Sequence, residues 1–209
     1  QAIKARLKHY LDSGEQASVI AINLPDIKTI NEMLGFRFGD ETLIATALRL
    51  NGILLIPGEL ARTGGSQFVA IMPPLDDDSL LERLSWLKRR IETSVEVLGS
   101  PIQIHVDLAA LRLPEQAQTI DEIQRRLDLT LERASHSPDH IALYAPGGDE
   151  EHLREIRLIR DLSEAIQERQ LHLNYQPKVA MDTGQFIGVE ALIRWHHPEL
   201  GFISPEEFI

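Results

Sequence analysis

Ala61-Arg62-Thr63-Gly64-Gly65-Ser66-Gln67-Phe68-Val69-Ala70-Ile71-Met72 reads as two short strands around a tight turn. Gly64-Gly65 supplies a two-residue turn that tolerates positive φ, and Phe68 to Met72 is apolar and β-prone. A Gly-Gly hairpin is common, so its surroundings decide the fold. Upstream, Ala17 to Ile22 is an unbroken apolar run, the pattern of a strand buried on both faces. Pro25 opens a helix that Gly35 closes. Asp40 is placed to cap a second helix, from Glu41 to about Leu50. Downstream, Asp76-Asp77-Asp78 sets acid at the start of a helix with Leu80, Leu81, Leu84, Leu87 and Ile91 on its buried face. Ile102 to Leu113 is expected as one long strand, Ile120 to Ala134 as a helix and Ile141 to Tyr144 as a last strand. A short helical pattern, Ile3 to Leu11, precedes them all. The order is helix, strand, two helices, hairpin, helix, strand, helix, strand. It predicts an α+β sandwich with helices packed on a mainly antiparallel sheet.

The chain has 209 residues, 43% apolar and 25% charged, enough for one or two domains with real cores. Its 32 acidic and 21 basic residues give a net charge of −11. An acidic surface argues against a nucleic-acid polymer as partner, since that affinity comes from neutralising phosphates. It does not exclude a small nucleotide in one pocket. The absence of Cys fits a reducing cytoplasm. No apolar run approaches the roughly 18 residues of a membrane span. The chain begins with Gln1, so both ends read as cuts from a longer protein, whose upstream sensor or membrane anchor is left open.

With Ala21-Ile22-Asn23-Leu24-Pro25-Asp26 and the run from Asn31 to Asp40, the hairpin resembles the GGDEF family, the diguanylate cyclases. That resemblance implies the palm-like (ferredoxin-like) fold of nucleotide cyclases, which periodicity alone does not select. In the family the hairpin carries Gly-Gly-Asp-Glu-Phe. Here Ser66 and Gln67 replace the two acids. A cyclase joins two GTP molecules by attack of a 3′-hydroxyl on an α-phosphate, and Mg²⁺ wants carboxylate ligands for that step. The family's metal positions fall on Asn23 and Ser66, both neutral, so the resemblance implies an inactive cyclase site. Asp26 lies three residues on and is expected to face elsewhere. The family's guanine-binding Asn and Asp fall on Asn31 and Asp40. A carboxylate can accept from guanine N1–H and N2–H, but a helix cap and a local hydrogen-bonder explain the same two residues. The family's phosphate-gripping Lys and Arg fall on Ser135 and Asp139, and Asp139 would repel a triphosphate. Its product-inhibition motif, Arg-x-x-Asp, is replaced by Leu55-Ile56-Pro57-Gly58. Lys28 survives, though a lone Lys is more often a solvated residue.

Pro146-Gly147-Gly148-Asp149-Glu150-Glu151 nearly repeats the signature, but no apolar strand follows it. It reads as a Gly-rich linker and an acidic helix start. The helix has Leu153, Ile156, Ile159, Leu162 and Ile166 on one stripe. Next come Leu171-His172-Leu173-Asn174-Tyr175-Gln176-Pro177, a turn at Asp182-Thr183-Gly184-Gln185, and a return strand from Phe186 to Trp195. Tyr-Gln-Pro, Glu190-Ala191-Leu192, Arg194-Trp195 and His197-Pro198 resemble the start of an EAL domain, the c-di-GMP phosphodiesterase family. The resemblance makes Glu190 a metal ligand in the complete domain, with Mg²⁺ or Mn²⁺, and gives Gln176 and Arg194 to the substrate. A Glu inside an apolar strand is costly unless paired or bound to metal. His196 and His197 are adjacent and should face opposite ways, which favours structural roles. Ser204-Pro205-Glu206-Glu207 is a capping box that starts a helix just before the chain stops.

The expected organisation is a degenerate GGDEF domain over residues 1–146, a linker and first EAL helix over 147–170, and an EAL fragment over 171–209. Such a first domain regulates or scaffolds a phosphodiesterase whose ligand is c-di-GMP. The alternatives are a sensor that takes GTP weakly, and a purely structural dimerisation (homodimer) or spacer unit. The fragment itself is expected to carry no cofactor and no activity.

Overall fold

The computed structural model describes residues 2–54 and 59–208, apart from the side chains of residues 150 and 151. Leu55-Ile56-Pro57-Gly58, the stretch read as lacking Arg-x-x-Asp, lies outside the described residues. The chain divides into two compact units, Gln1–Gly148 and Asp149–Ile209.

In chain order the first unit has α1 (Ala2–Ser13), β1 (Ala17–Asn23), α2 (Asp26–Leu34), α3 (Phe36–Leu54), β2 (Leu60–Gly64), β3 (Gln67–Met72), α4 (Asp77–Ile91), β4 (Val95–Val97), β5 (Ser100–Ile102), β6 (Asp107–Leu113), α5 (Ile120–His136) and β7 (Ile141–Leu143). Five strands form one sheet in the order β2-β3-β1-β6-β7. All pairs are antiparallel except β6 with β7. The unbroken apolar run at β1 is explained by its central place. Ile20, Ile22 and Leu24 face one core, with Leu43, Leu50, Leu84 and Leu87 of α3 and α4. Ala17, Val19 and Ala21 face the other, with Ile3 and Leu7 of α1 and Ile123, Leu127 and Leu131 of α5. The period of two along a strand thus feeds two helical layers at once.

Helix α1 is fastened to the start of β2. Arg6 donates to Glu59 at 2.6 Å and the Tyr10 hydroxyl to the same oxygen at 3.1 Å. The Arg6 guanidinium also lies over the Tyr10 ring, 5.7 Å from its centroid.

Several expectations are corrected. Asp40 is not an N-cap, because α3 already begins at Phe36. Gly35, at φ 92°, reverses the chain directly after α2, so the next helix starts at once. The hairpin turn is Gly65-Ser66, one residue beyond Gly64-Gly65, with Gly64 opposite Gln67. Leu81 is exposed, off the face that buries Leu80, Leu84, Leu87 and Ile91. The long strand from Ile102 to Leu113 is broken after Ile102. The His105 backbone N–H donates to Asp26 Oδ2 at 2.8 Å and that of Val106 to Glu92 Oε1 at 3.1 Å. Side-chain carboxylates there take the bonds a strand partner would make, and Val95–Ile102 closes into its own small hairpin. Asp76 does cap α4, accepting from the Ser79 backbone N–H at 2.9 Å.

The second unit has α6 (Gly148–Gln167), β8 (Leu171–Val179), β9 (Phe186–His197) and β10 (Gly201–Ile203), then a single 3₁₀ turn, Pro205–Glu207. The strands form a three-stranded antiparallel sheet, β10-β9-β8. The turn has the expected box, with the Ser204 backbone N–H on Glu207 Oε1 at 3.1 Å. Its small core is Trp195, Ile203, Leu158 and Ala165, with Leu162 packed against it. The apolar stripe expected on α6 is therefore not the buried one. Leu153, Ile156, Ile159 and Ile166 are exposed. The helix carries two apolar stripes, and Trp195 and Ile203 pack on the other.

Candidate functional site

Three strands bring Asn23, Gln67 and Asp107 abreast. Asn23 is the register partner of Gln67 on β3 and of Asp107 on β6. Directly paired residues share a face, so the three stand side by side at the end of the sheet. Ser66 in the turn joins them. Its hydroxyl donates to Asn23 Oδ1 at 2.9 Å, and Asn23 Nδ2 donates to Asp107 Oδ2 at 3.3 Å. The other Asp107 oxygen meets His140 Nδ1 at 2.9 Å. Ser66, Asn23, Asp107 and His140 form one continuous chain of hydrogen bonds, with Asp107 only 3% exposed. The two neutral residues expected at the family's metal positions, Asn23 and Ser66, are bonded to each other, and the nearby Asp107 carboxylate is engaged on both oxygens. This donor set does not fit a divalent cation, which wants several free carboxylate oxygens.

Sequence reasoning missed Asp107 and His140. The signal for Asp107 was present: an acid beginning the apolar strand Asp107-Leu108-Ala109-Ala110.

Gln67, expected at the second acidic position of the signature, turns toward α5. Its amide donates to Asp128 Oδ1 at 2.9 Å and accepts from the Thr63 hydroxyl at 3.1 Å. Asp26 faces away, accepting from the His105 backbone and ring nitrogens at 2.8 Å each. Ser135 and Asp139 are exposed and locally satisfied. The Ser135 hydroxyl donates to the Glu132 carbonyl at 2.7 Å, and Asp139 accepts from the Ser137 hydroxyl at 3.1 Å.

Beside the turn lies an open cleft of about 580 Å³ lined by α2, α3 and the hairpin. Asn31, Asp40, Lys28 and Arg62 reach it, as do Ser66 and the exposed ring of Phe36. Arg62 clamps the turn, donating twice to the Gly65 carbonyl at 2.8 and 2.5 Å. Lys28 is exposed, 4.0 Å from Glu32. Asn31 Oδ1 is buried and has no hydrogen-bond partner. Gly39 makes room for it, since a Cβ there would stand 2.0 Å from that oxygen. The cleft thus gathers the two guanine-binding candidates without metal carboxylates between them.

In the second unit Gln176 is the register partner of Glu190, and Arg194 that of His172. Alternation puts Gln176, Glu190 and Arg194 on one face of the hairpin. The burial argument for Glu190 does not hold. Its side chain is 47% exposed and pairs with Lys178 at 2.9 Å. Arg194 donates to the Ile193 carbonyl at 2.8 Å. His196 and His197 face opposite ways. His197 is buried and fully used, with Nε2 on Asp161 at 3.1 Å and Nδ1 accepting from the Glu199 and Leu200 backbone at 3.1 Å each. Asp161 also accepts from Arg160 at 2.8 Å and Arg157 at 3.4 Å. Arg160 first, then His197, holds its carboxyl down to about 2. Among the described residues no three His, Asp or Glu side chains are grouped to hold a metal ion.

Comparison with known proteins follows the same division. Residues 1–140 match the model of the diguanylate cyclase GGDEF domain, and residues 159–209 that of the EAL domain. The chain is 30% identical over 211 residues to the bifunctional diguanylate cyclase/cyclic di-GMP phosphodiesterase MucR of Pseudomonas aeruginosa, covering 99% of this chain and 30% of that protein. It is 34% identical to the cyclic di-GMP phosphodiesterase PA2567 of the same organism, over 92% of this chain and 33% of that protein. It therefore spans about a third of the length of these relatives. The GGDEF domain of P. aeruginosa YfiN (TpbB) shares the fold, with a TM-score of 0.62 at 22% identity, over 70% of this chain and 90% of that one. The GGDEF domain of DgcB from Caulobacter crescentus, solved with c-di-GMP, has a TM-score of 0.55 at 16% identity, over 68% and 85%. No helix among the described residues is long and apolar enough to cross a membrane. By its strand order, its hairpin and these matches, the chain belongs to the GGDEF family and carries the start of an EAL domain, the pairing of c-di-GMP signalling proteins.

Proposed function

We propose that the GGDEF unit is catalytically inactive and regulates or scaffolds a c-di-GMP phosphodiesterase whose first strands are β8 and β9. The observation that carries this reading is the closed hydrogen-bond chain Ser66–Asn23–Asp107–His140. A cyclase must neutralise triphosphate charge with metal held by carboxylates. Here one carboxylate is present and His140 and Asn23 already use it. In the complete EAL domain Glu190 would be one metal ligand, releasing Lys178, and Gln176 and Arg194 would face the substrate from the same side. The metal there, Mg²⁺ or Mn²⁺, would activate water for phosphodiester hydrolysis.

A second reading, a GTP sensor, draws on Asn31 Oδ1. A buried acceptor without a donor is costly, and a guanine amino group would satisfy it, with Asp40 on the same cleft. Of the two cations on the cleft, Arg62 is bonded to the Gly65 carbonyl and Lys28 lies beside Glu32, and the positions expected to grip phosphate lie outside it. Ser135 is neutral, Asp139 is acidic, and the chain carries a net charge of −11. The expected affinity is about 0.1 mM or poorer, which is about −5.5 kcal/mol or less favourable.

Two measurements test these readings. The purified chain with GTP and Mg²⁺ or Mn²⁺ should form no c-di-GMP, and turnover that tracks the protein would end the inactive reading. Calorimetry with and without Mg²⁺ should show weak, metal-independent GTP binding. Micromolar, Mg²⁺-dependent binding lost in Asp40→Ala would replace the scaffold with the sensor.

A further inference from the structure

Helix α4 sorts its charges by end. Asp77 and Asp78 stand in its first turn and Lys88, Arg89 and Arg90 in its last, which suits the helix dipole. The dipole does not account for Arg83 in the middle, nor for where its guanidinium goes. Arg83 and Arg90 both lie over the half-buried ring of Trp86, 4.6 and 5.7 Å from its centroid. Trp86 is three residues after one and four before the other, so all three share one side of the helix. Among the described residues neither guanidinium has a hydrogen bond or an ion pair. Lys88, by contrast, is paired with Glu92 at 2.5 Å, and Arg112 with Asp77 at 3.1 Å. The chain has 32 acidic residues against 21 basic ones, so a shortage of acids does not explain two guanidiniums left to an indole.

Beside Trp86 is an open hollow of about 420 Å³ whose apolar wall is Met72, Pro73, Leu75 and the indole. Met72 ends β3, at the other end from the Gly65-Ser66 turn. This face is therefore separate from the cleft of Asn31 and Asp40. Tryptophan and arginine are the residues in which interface energy concentrates.

The arrangement selects an occupant. A nucleobase would need the indole face that Arg83 covers. A second copy presenting α4 by two-fold symmetry would set arginine against arginine. A carboxylate needs only the N–H edges of the guanidinium, which stacking on a ring leaves outward and already oriented. Both guanidinium centres lie within 5.7 Å of one ring centroid. Carboxylates on alternate residues of an extended segment, about 7 Å apart, can reach the two together. Glu82 on the rim of the hollow, with Asp76, Asp77 and Asp78 before it, repels acid from that end. The apolar part of the occupant belongs there, and its acids lie toward Arg90.

We propose that the Arg83–Trp86–Arg90 face of α4 is a docking surface for an acidic segment of a partner protein. The segment is extended, with one apolar side chain in the hollow and carboxylates at the next two positions of the same face on the two arginines.

Fluorescence anisotropy of the whole chain with a labelled peptide, fluorescein-Gly-Ser-Phe-Ser-Glu-Ser-Glu-Ser-Gly, tests this. At about 20 mM salt the Kd should be roughly 10–100 µM, a weak-docking range, and about 200 mM salt should weaken it severalfold. Replacing both Glu by Gln, or Phe by Ser, in the peptide should each cost about tenfold or more. Arg83→Gln with Arg90→Gln should lose binding with an unchanged circular dichroism spectrum. Arg83→Lys with Arg90→Lys keeps the charge and should still lose about fivefold or more, because lysine has no planar fork. Lys4→Gln with Lys8→Gln, the same charge change on exposed positions of α1, should leave binding intact. Trp86→Leu should also lose it, and if that variant misfolds the arginine pairs decide. No binding up to about 0.5 mM, equal binding by the Gln peptide, or indifference to the Arg→Gln pair would overturn the proposal. So would a lysine pair as good as the arginines. A uridine 12-mer or c-di-GMP that competes as well as the unlabelled peptide would make the face a phosphate reader instead. A sedimentation mass of two copies that Arg83→Gln with Arg90→Gln returns to one would give it to a second copy of the chain.

Discussion

Asn23→Asp would return to β1 the acid that the family resemblance implies, and the structure indicates what it would cost. Asn23 Nδ2 sits 3.3 Å from Asp107 Oδ2, and the Asp107 side chain is almost fully buried. The change removes a hydrogen bond to a charged acceptor, about 1.5–3 kcal/mol when made. It also sets two carboxylates at that distance. Two unit charges 3.3 Å apart repel by about 5 kcal/mol at an effective dielectric of about 20. Side-chain relaxation and His140, 2.9 Å from Asp107, absorb part of this. The expected net loss is about 2–4 kcal/mol, so the melting temperature should fall by about 5–15 °C in a chain of this size. Thermal unfolding followed by circular dichroism measures it. Two controls separate repulsion from simple misfit. Asp107→Asn in the same background should recover most of the loss, because one charge is gone. Millimolar Mn²⁺ should raise the melting temperature of Asn23→Asp and leave the unaltered chain unmoved, since binding to the folded form at ten times Kd adds about 1.4 kcal/mol. If Asn23→Asp melts within about 2 °C of the unaltered chain, and Mn²⁺ does nothing, the two positions are not coupled and the hydrogen-bond chain is misread.

Three further outcomes follow from other contacts. Gly39→Ala should drive Asn31 out of its rotamer while gaining up to about 1 kcal/mol of helix propensity, so calorimetry should lose GTP binding while the melting temperature holds or rises. Asp161 has a folded pKa of about 2, below its ordinary 3.8. Its stabilisation is therefore complete above about pH 4 and lost as pH falls toward about 2, and denaturant titrations should show the gap between the unaltered chain and Asp161→Asn closing over that interval. In a longer protein with an active EAL domain, Glu190→Gln should abolish c-di-GMP hydrolysis while costing no more than about 1 kcal/mol of stability, because its ion pair with Lys178 is half-exposed.

The sheet was legible because its central strand is apolar on both faces, and a buried strand between two helical layers leaves few other readings. Gly35 marked its turn and the hairpin glycines theirs to within one residue, for local reasons, and local reasons can be read from neighbours in sequence. The break after Ile102 could not be read that way. It depends on Asp26 and Glu92 reaching backbone N–H groups from other elements. The two apolar stripes on α6 show a different limit. Periodicity found one, and tertiary packing chose the other. The site shows a third. The argument that an acid in an apolar strand needs a partner was applied to Glu190, which is exposed on the sheet surface, and not to Asp107, which is buried and meets that description fully.

The fastening of α1 has a mechanical consequence. Arg6 and Tyr10 lie four residues apart, on one side of a helix of 12 residues, and both end on a single Glu59 oxygen. Glu59 is 8% exposed, and its carbonyl accepts from the Ile71 backbone at 2.8 Å, in the strand that runs up from the Gly65-Ser66 turn. Rolling the helix by one residue, about 100°, would carry both donors off that one oxygen together. A twist applied to α1 is therefore borne by one oxygen at the start of β2, one backbone bond away from Ile71 of β3.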